Sequence, residues 1–183
     1  LAAGCDGTTE KVTVEMSENK EFKGLTCSKA QITLGSSYTS IQSEYFKGTT
    51  LKSLTIPFSV TNIYSGAFES ANIQTLTLEN SISSGDNLFR YSTIGTLEIS
   101  QSNIPSDVFT KANSFGTVSF PQSLRNIGNS AFSSCYIGTL DFSSIYTAPE
   151  ILHEGKYSLK SDIFSLGMII YYIINEKNAD LNN

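Results

Sequence analysis

The chain's only imidazole, His153, stands between Glu150 and Gly155. No serine or cysteine arrangement nearby would let it act as a base. The acidic residues are dispersed, so no carboxylate pair is placed for general acid and base work and no run has the spacing of a calcium loop. Cys5, Cys27 and Cys135 lie far apart and share no metal-ligand spacing. They read as small buried hydrophobes, with a Cys27–Cys135 bridge left open as the alternative. The pattern therefore predicts no catalytic residue, no metal site and no cofactor, and points to binding instead of reaction.

Charge narrows the partners. Twelve Lys and Arg against 17 Asp and Glu leave a net charge of -5. The basic residues are scattered from Lys11 to Lys177, without a patch that could release counterions from a phosphate backbone, so no nucleic acid is expected. With 39% hydrophobic residues, 16% charged, 11 Phe, 9 Tyr and no Trp, the chain is neither disordered nor membrane-like. Its longest apolar run, Ile163 to Ile174, is interrupted by Ser165 and Gly167 and is shorter than the roughly 20 residues a spanning helix needs, so no transmembrane segment is predicted. No N-x-Ser/Thr acceptor site occurs. The opening Leu1–Cys5 phrase resembles the end of a bacterial lipoprotein signal but lacks the charged and apolar regions that define one. A start at Leu1 instead of methionine is read as the mark of a fragment.

What could position recognition residues is a repeat. The phrases SLTI (53–56), TLTL (75–78), TLEI (96–99), TVSF (117–120) and TLDF (139–142) recur, and VTV (12–14) and ITL (32–34) extend the series upstream. First apolar positions fall at 12, 32, 54, 76, 97, 118 and 140, in steps of 20, 22, 22, 21, 21 and 22. Two apolar residues flanking a polar one is the period of a strand with one face in a core. Strands this short are stable only when stacked, so the period predicts a solenoid. Leu51, Ile73, Ile94, Phe115 and Ile137 add a leading apolar position.

The returning segments carry their own marks, clearest at 55–70 and 119–134. Pro57 and Pro121 end strands, because proline has no ladder donor. Val60 or Leu124, then Ile63 or Ile127, then Ala67-Phe68 or Ala131-Phe132 follow, with Phe46, Phe89 and Phe109 in comparable places. A phenylalanine in every coil would fill the wide side of the solenoid. The pattern L-x-x-L-x-I-P-x-x-V-x-x-I-x-x-x-A-F resembles the BspA-like type of leucine-rich repeat. That resemblance implies a right-handed coil with short parallel strands and a role in microbial surface adhesion or recognition. Departures occur: no proline follows Leu78, Leu88-Phe89 and Val108-Phe109 replace Ala-Phe, and the first two repeats are weak.

From Ile145 the repeat stops. Tyr146, Ala148, Pro149 and Glu150 form a Y-x-A-P-E element, and Tyr157 with Ser161-Asp162-Ile163-Phe164-Ser165-Leu166-Gly167 forms a Y-x-x-x-S-D-V-[WYF]-S-[LFY]-G element. Residues 145–177 thereby resemble part of the protein kinase catalytic domain, from the end of the activation segment into the central helix of the large lobe. The resemblance implies that Asp162 ties that helix to a catalytic loop and that Glu150 pairs with a later arginine, and this sequence contains neither partner. It also contains no Gly-rich loop, strand lysine, catalytic-loop Asp and Asn, or D-F-G. ATP and magnesium belong only to an intact kinase parent. Asp141-Phe142-Ser143 looks like D-F-G, but YIGTLDFS (136–143) repeats TIGTLEIS (93–100), which puts Asp141 on the seventh strand. As a plainer reading, Ile163, Leu166, Met168, Ile169, Ile170, Ile173 and Ile174 make a helix apolar almost all round that covers the last repeat.

The expected architecture is thus an α/β-type leucine-rich-repeat solenoid over 1–144, a kinase-like helical segment over 145–177 and a polar tail over 178–183. The expected function is non-catalytic binding of a protein or glycan, through strand residues Thr77, Glu98, Ser119 and Asp141. The alternative is a mosaic piece of a leucine-rich-repeat protein kinase. The repeats suggest the cell surface and the kinase-like segment suggests the cytoplasm.

Overall fold

The computed structural model describes residues 11–82 and 87–142. The kinase-like elements at Tyr146, Ala148, Pro149, Glu150, Asp162 and Gly167 lie outside the described residues, as does the predicted helix around Ile163–Ile174. Eleven strands are present among the described residues: β1 Lys11–Val14, β2 Thr26–Leu34, β3 Ser40–Ile41, β4 Thr50–Ile56, β5 Asn62–Ile63, β6 Asn72–Leu78, β7 Thr93–Ile99, β8 Asn103–Ile104, β9 Ser114–Ser119, β10 Asn126–Ile127 and β11 Tyr136–Asp141.

Seven of them form one sheet in the order β1-β2-β4-β6-β7-β9-β11, with every adjacent pair parallel. The predicted first positions fall in one column, Val12-Ile32-Leu54-Leu76-Leu97-Val118-Leu140, each paired with the next. The two weak repeats are therefore full members of the ladder. Small sheets β3–β5 and β8–β10 align Ile41 with Ile63 and Ile104 with Ile127 on the return path.

Among the described residues the single helix is a 3-10 turn at Met16–Glu18. This part of the chain is all-β, which corrects the α/β description: the return segments are turns and two-residue strands. The reason is local. Each buried or half-buried return-path phenylalanine from Phe46 to Phe132 that joins the ring stack sits between two residues of positive φ, one two places before and one two places after: Glu44 and Gly48, Gly66 and Ser70, Asn87 and Tyr91, Asp107 and Lys111, Ser130 and Ser134. Paired left-handed residues reverse the chain repeatedly and are incompatible with a continuing α-helix.

Those reversals drive the rings inward. Phe22, Phe46, Phe68, Phe89, Phe109 and Phe132 form one column with successive centroids 4.9, 5.4, 4.9, 5.2 and 4.9 Å apart. Spacings near 5 Å match the rung-to-rung distance of the sheet, so strand ladder and ring stack share one repeat. Phe22 joins the column although its repeat is poor in the other marks.

Three residues after a column phenylalanine a small side chain is buried or half-buried, at Thr49, Ala71, Ser92, Ala112 and Cys135. Ser92 Oγ donates to Phe89 O at 2.7 Å and Cys135 Sγ to Phe132 O at 2.7 Å, while Thr49 Oγ1 donates to Phe22 O of the preceding coil at 2.5 Å. Cys135 is a free, half-buried thiol in a small-residue position of the repeat, which excludes a Cys27–Cys135 bridge. Burial pushes its thiol pKa up. Cys27 occupies the leading core column beside Leu51 and is disulfide-bonded, so it is more than the small hydrophobe expected.

Candidate binding face

The strands present their polar residues on the outer face of the sheet in two ladders. One runs Lys11-Gln31-Ser53-Thr75-Thr96-Thr117-Thr139 and the other Thr13-Thr33-Thr55-Thr77-Glu98-Ser119-Asp141. The four predicted site residues, Thr77, Glu98, Ser119 and Asp141, are thus consecutive members of one column. They also bond across rungs: Thr77 Oγ1 donates to Glu98 Oε2 at 2.7 Å, and Ser119 Oγ donates to Asp141 Oδ2 at 3.2 Å. Side chains fixed to their neighbours lose less rotamer freedom when a ligand lands on them.

Beside these ladders stands a third row that sequence reading missed. Between the leading and first core positions two residues face outward, so Lys52, Gln74, Gly95, Gly116 and Gly138 follow one another up the sheet. A Cβ on Gly95 would lie 2.4 Å from Gln74 O, one on Gly116 2.4 Å from Gly95 O, and one on Gly138 2.6 Å from Gly116 O. The strands approach too closely there for a side chain, and the row drops from long polar groups to bare backbone. The signal was available as the recurring Gly-Thr in IGTLEI, FGTVSF and IGTLDF.

Where the third row still carries side chains, the face forms a groove of about 310 Å³ lined by Lys11, Gln31, Lys52, Gln74, Thr77 and Glu98 together with the intervening Thr and Ser. Among the described residues the lining holds no aromatic ring and no cysteine or histidine. It can donate and accept hydrogen bonds and offer charge of both signs, and the described residues bring no nucleophile–base pair together there. No group of His, Cys, Asp and Glu able to hold a metal occurs among the described residues.

A second charged cluster lies on the return side. Glu44 meets Lys23 at 2.5 Å and Lys47 at 2.9 Å, and Lys47 meets Glu69 at 3.3 Å. The hydrogen bond from Lys23, then that from Lys47, holds the Glu44 carboxyl down at about 2. Its partners come from successive coils, so these charges join turns to each other. Nearby, burial and the hydroxyl of Tyr45, 3.1 Å away, push the Tyr38 phenol above its usual value.

The family model described as BspA type leucine rich repeat region matches the chain in six copies, over residues 16–138 and 84–173. Comparison with the curated proteins and with the solved structures finds no match. No helix among the described residues is long and apolar enough to cross a membrane.

Proposed function

Because the chain belongs to the BspA type leucine rich repeat family, we propose that it is a non-catalytic recognition protein that engages a macromolecular partner on the outer face of its seven-stranded sheet. Its setting is adhesion at a cell surface. The observation that carries this reading is the column Thr77-Glu98-Ser119-Asp141, whose side chains are pre-ordered by bonds across rungs. Solenoids offer such extended faces, each rung adding one more contact. The partner is a protein and not a glycan: a sugar ring packs its apolar face on aromatic side chains, and the described lining of the groove has none. No cofactor and no reaction enter the proposal.

The test replaces Thr77, Glu98, Ser119 and Asp141 together by alanine in the full chain. Circular dichroism establishes that the variant folds, and partners are enriched by cross-linking from surface and cytosolic fractions in parallel. The expected result is loss of surface-fraction partners that the unaltered chain retains. Equal recovery by a folded variant would remove the face from consideration, and partners confined to the cytosolic fraction would remove the adhesion setting.

A second reading rests on the Y-x-A-P-E and S-D-x-F-S-L-G elements at Tyr146–Glu150 and Ser161–Gly167: the repeats belong to a mosaic protein kinase parent, which would bind ATP and magnesium in parts this sequence does not contain. Sequencing the full transcript decides it. A Gly-rich loop and an H-R-D element in the same reading frame would establish the parent, and an uninterrupted transcript without them would dismiss it.

A further inference from the structure

Building on the face reading, we infer that the groove over the amino-terminal half of the sheet takes an extended peptide with segregated charges, its acidic residues over Lys11 and Lys52 and its basic residues over Glu98. Three observations carry the inference.

The first is the state of the charges. On the return side Lys23, Glu44, Lys47 and Glu69 are committed to one another in ion pairs. In the groove, the side chains of Lys11 and Lys52 have no hydrogen bond or ion pair among the described residues, and Glu98 accepts one bond, from Thr77. A carboxylate offers about four acceptor sites, so most of the capacity of Glu98 stays available. Charges left unpaired along a groove add nothing to the fold and are open to a ligand.

Their order along the sheet is the second observation. Lys11 is on β1, Lys52 on β4 and Glu98 on β7, the first, third and fifth rungs. At roughly 4.8 Å per rung, Lys52 and Glu98 are separated by about 10 Å and Lys11 and Glu98 by about 19 Å along the ladder direction, and their different positions along the strands only add to this. An extended chain rising about 3.3 Å per residue covers the longer distance with about six residues. Opposite charges held at least a Debye length apart act on separate ends of such a ligand.

Third, the groove floor suits a peptide backbone. Gln74, exposed and without a hydrogen bond among the described residues, presents a donor and an acceptor from one planar amide, the complement of a peptide unit. The hydroxyls of Thr33, Thr55 and Thr77 repeat once per rung beside it. Further along, Gly95, Gly116 and Gly138 offer no side chain, so the third row's own polar grip ends where it becomes bare backbone.

The experiment uses the full isotope-labelled chain and fluorescein-tagged decapeptides of one composition: aspartates at one end, Ser, Thr and Gln between, and lysines at the other, against an isomer with the charges alternating. The segregated peptide should bind about tenfold more tightly than the isomer by fluorescence anisotropy. That advantage should disappear near 1 M salt, where screening acts over about 3 Å. The Gln74 side-chain amide should shift in the nitrogen–proton spectrum. Lys52→Glu should weaken binding about tenfold, and inverting all three charges together, Lys11→Glu with Lys52→Glu and Glu98→Lys, should restore it, because the peptide then lies the other way round.

Equal binding of the two isomers with the Gln74 resonance still moving would overturn charge selection and leave the face reading standing. Absence of binding up to millimolar peptide would overturn the inference too, and the enrichment experiment would then decide the face reading alone. Binding indifferent to every face substitution would sink both. Cellohexaose moving the same resonances where neither peptide does would replace the peptide by a glycan.

Discussion

The ring of Phe68 lies 4.9 Å from that of Phe89 with the two planes 5° apart, and both rings are fully buried. Each coil's largest apolar group thus rests on the next coil's, so removing one ring opens a gap on two sides. Phe68→Ala is expected to cost about 3–5 kcal/mol. Phe58→Ala, at a ring 78% exposed, should stay within about 0.5 kcal/mol. Urea unfolding of the two variants is the comparison, and similar costs would show that the stack does not carry the core.

Gly116 differs from Gly24 in why it is glycine. A Cβ at Gly116 meets the Gly95 carbonyl oxygen, whereas at Gly24 the space is open and the backbone has φ +71. Gly116→Ala should push β7 and β9 apart, costing about 1–3 kcal/mol as overpacking does. It should also speed amide exchange in those two strands. Gly24→Ala should cost about 1 kcal/mol from backbone strain and leave exchange in β7 and β9 unchanged. Uniform exchange in both variants would mean that the strand approach is not what excludes the side chain.

Ser134 sits two residues after Phe132 with φ 57 and is exposed. A β-branched residue tolerates that backbone poorly. Ser134→Val should therefore lower stability by about 1–2 kcal/mol while Ser134→Gly stays within about 0.5 kcal/mol of the parent. Thermal melts of the pair settle it, and a valine variant melting with the glycine variant would remove the paired left-handed residues from the account of the turns.

Glu44 titrates at about 2 in the folded chain against an ordinary 4.5, through Lys23 and then Lys47. A depressed folded value means that the unfolded chain takes up the proton first on acidification. The contribution is complete above about pH 4.5 and is lost as the pH falls toward 2. Glu44→Gln should flatten the acid limb of a stability–pH curve between those values without changing it at pH 7 and above in shape. Because the group is solvent-exposed, about 1 M salt should shrink the difference. Identical acid limbs for parent and variant would show that the network does not couple the coils.

Before any coordinates, the amino-acid order alone determined the periodicity, all seven rungs and the identity of the column holding Thr77, Glu98, Ser119 and Asp141. A period-two alternation repeated every coil has one register in which every apolar residue faces inward, and a one-residue slip would turn each of them to water. Residues such as Val12 and Ile32 were legible as rungs even in repeats that lack the other marks. What only tertiary structure decided depends on groups far apart in sequence. The left-handed sites around each phenylalanine are filled by Glu, Gly, Asn, Asp, Ser, Tyr and Lys, so no single residue type announces them. Gly95 and Gly116 are required by carbonyls a full coil away. The separation of Lys52 from Glu98 across one groove exists only once the rungs are stacked, because charge acts through space and alignment of distant coils sets that distance.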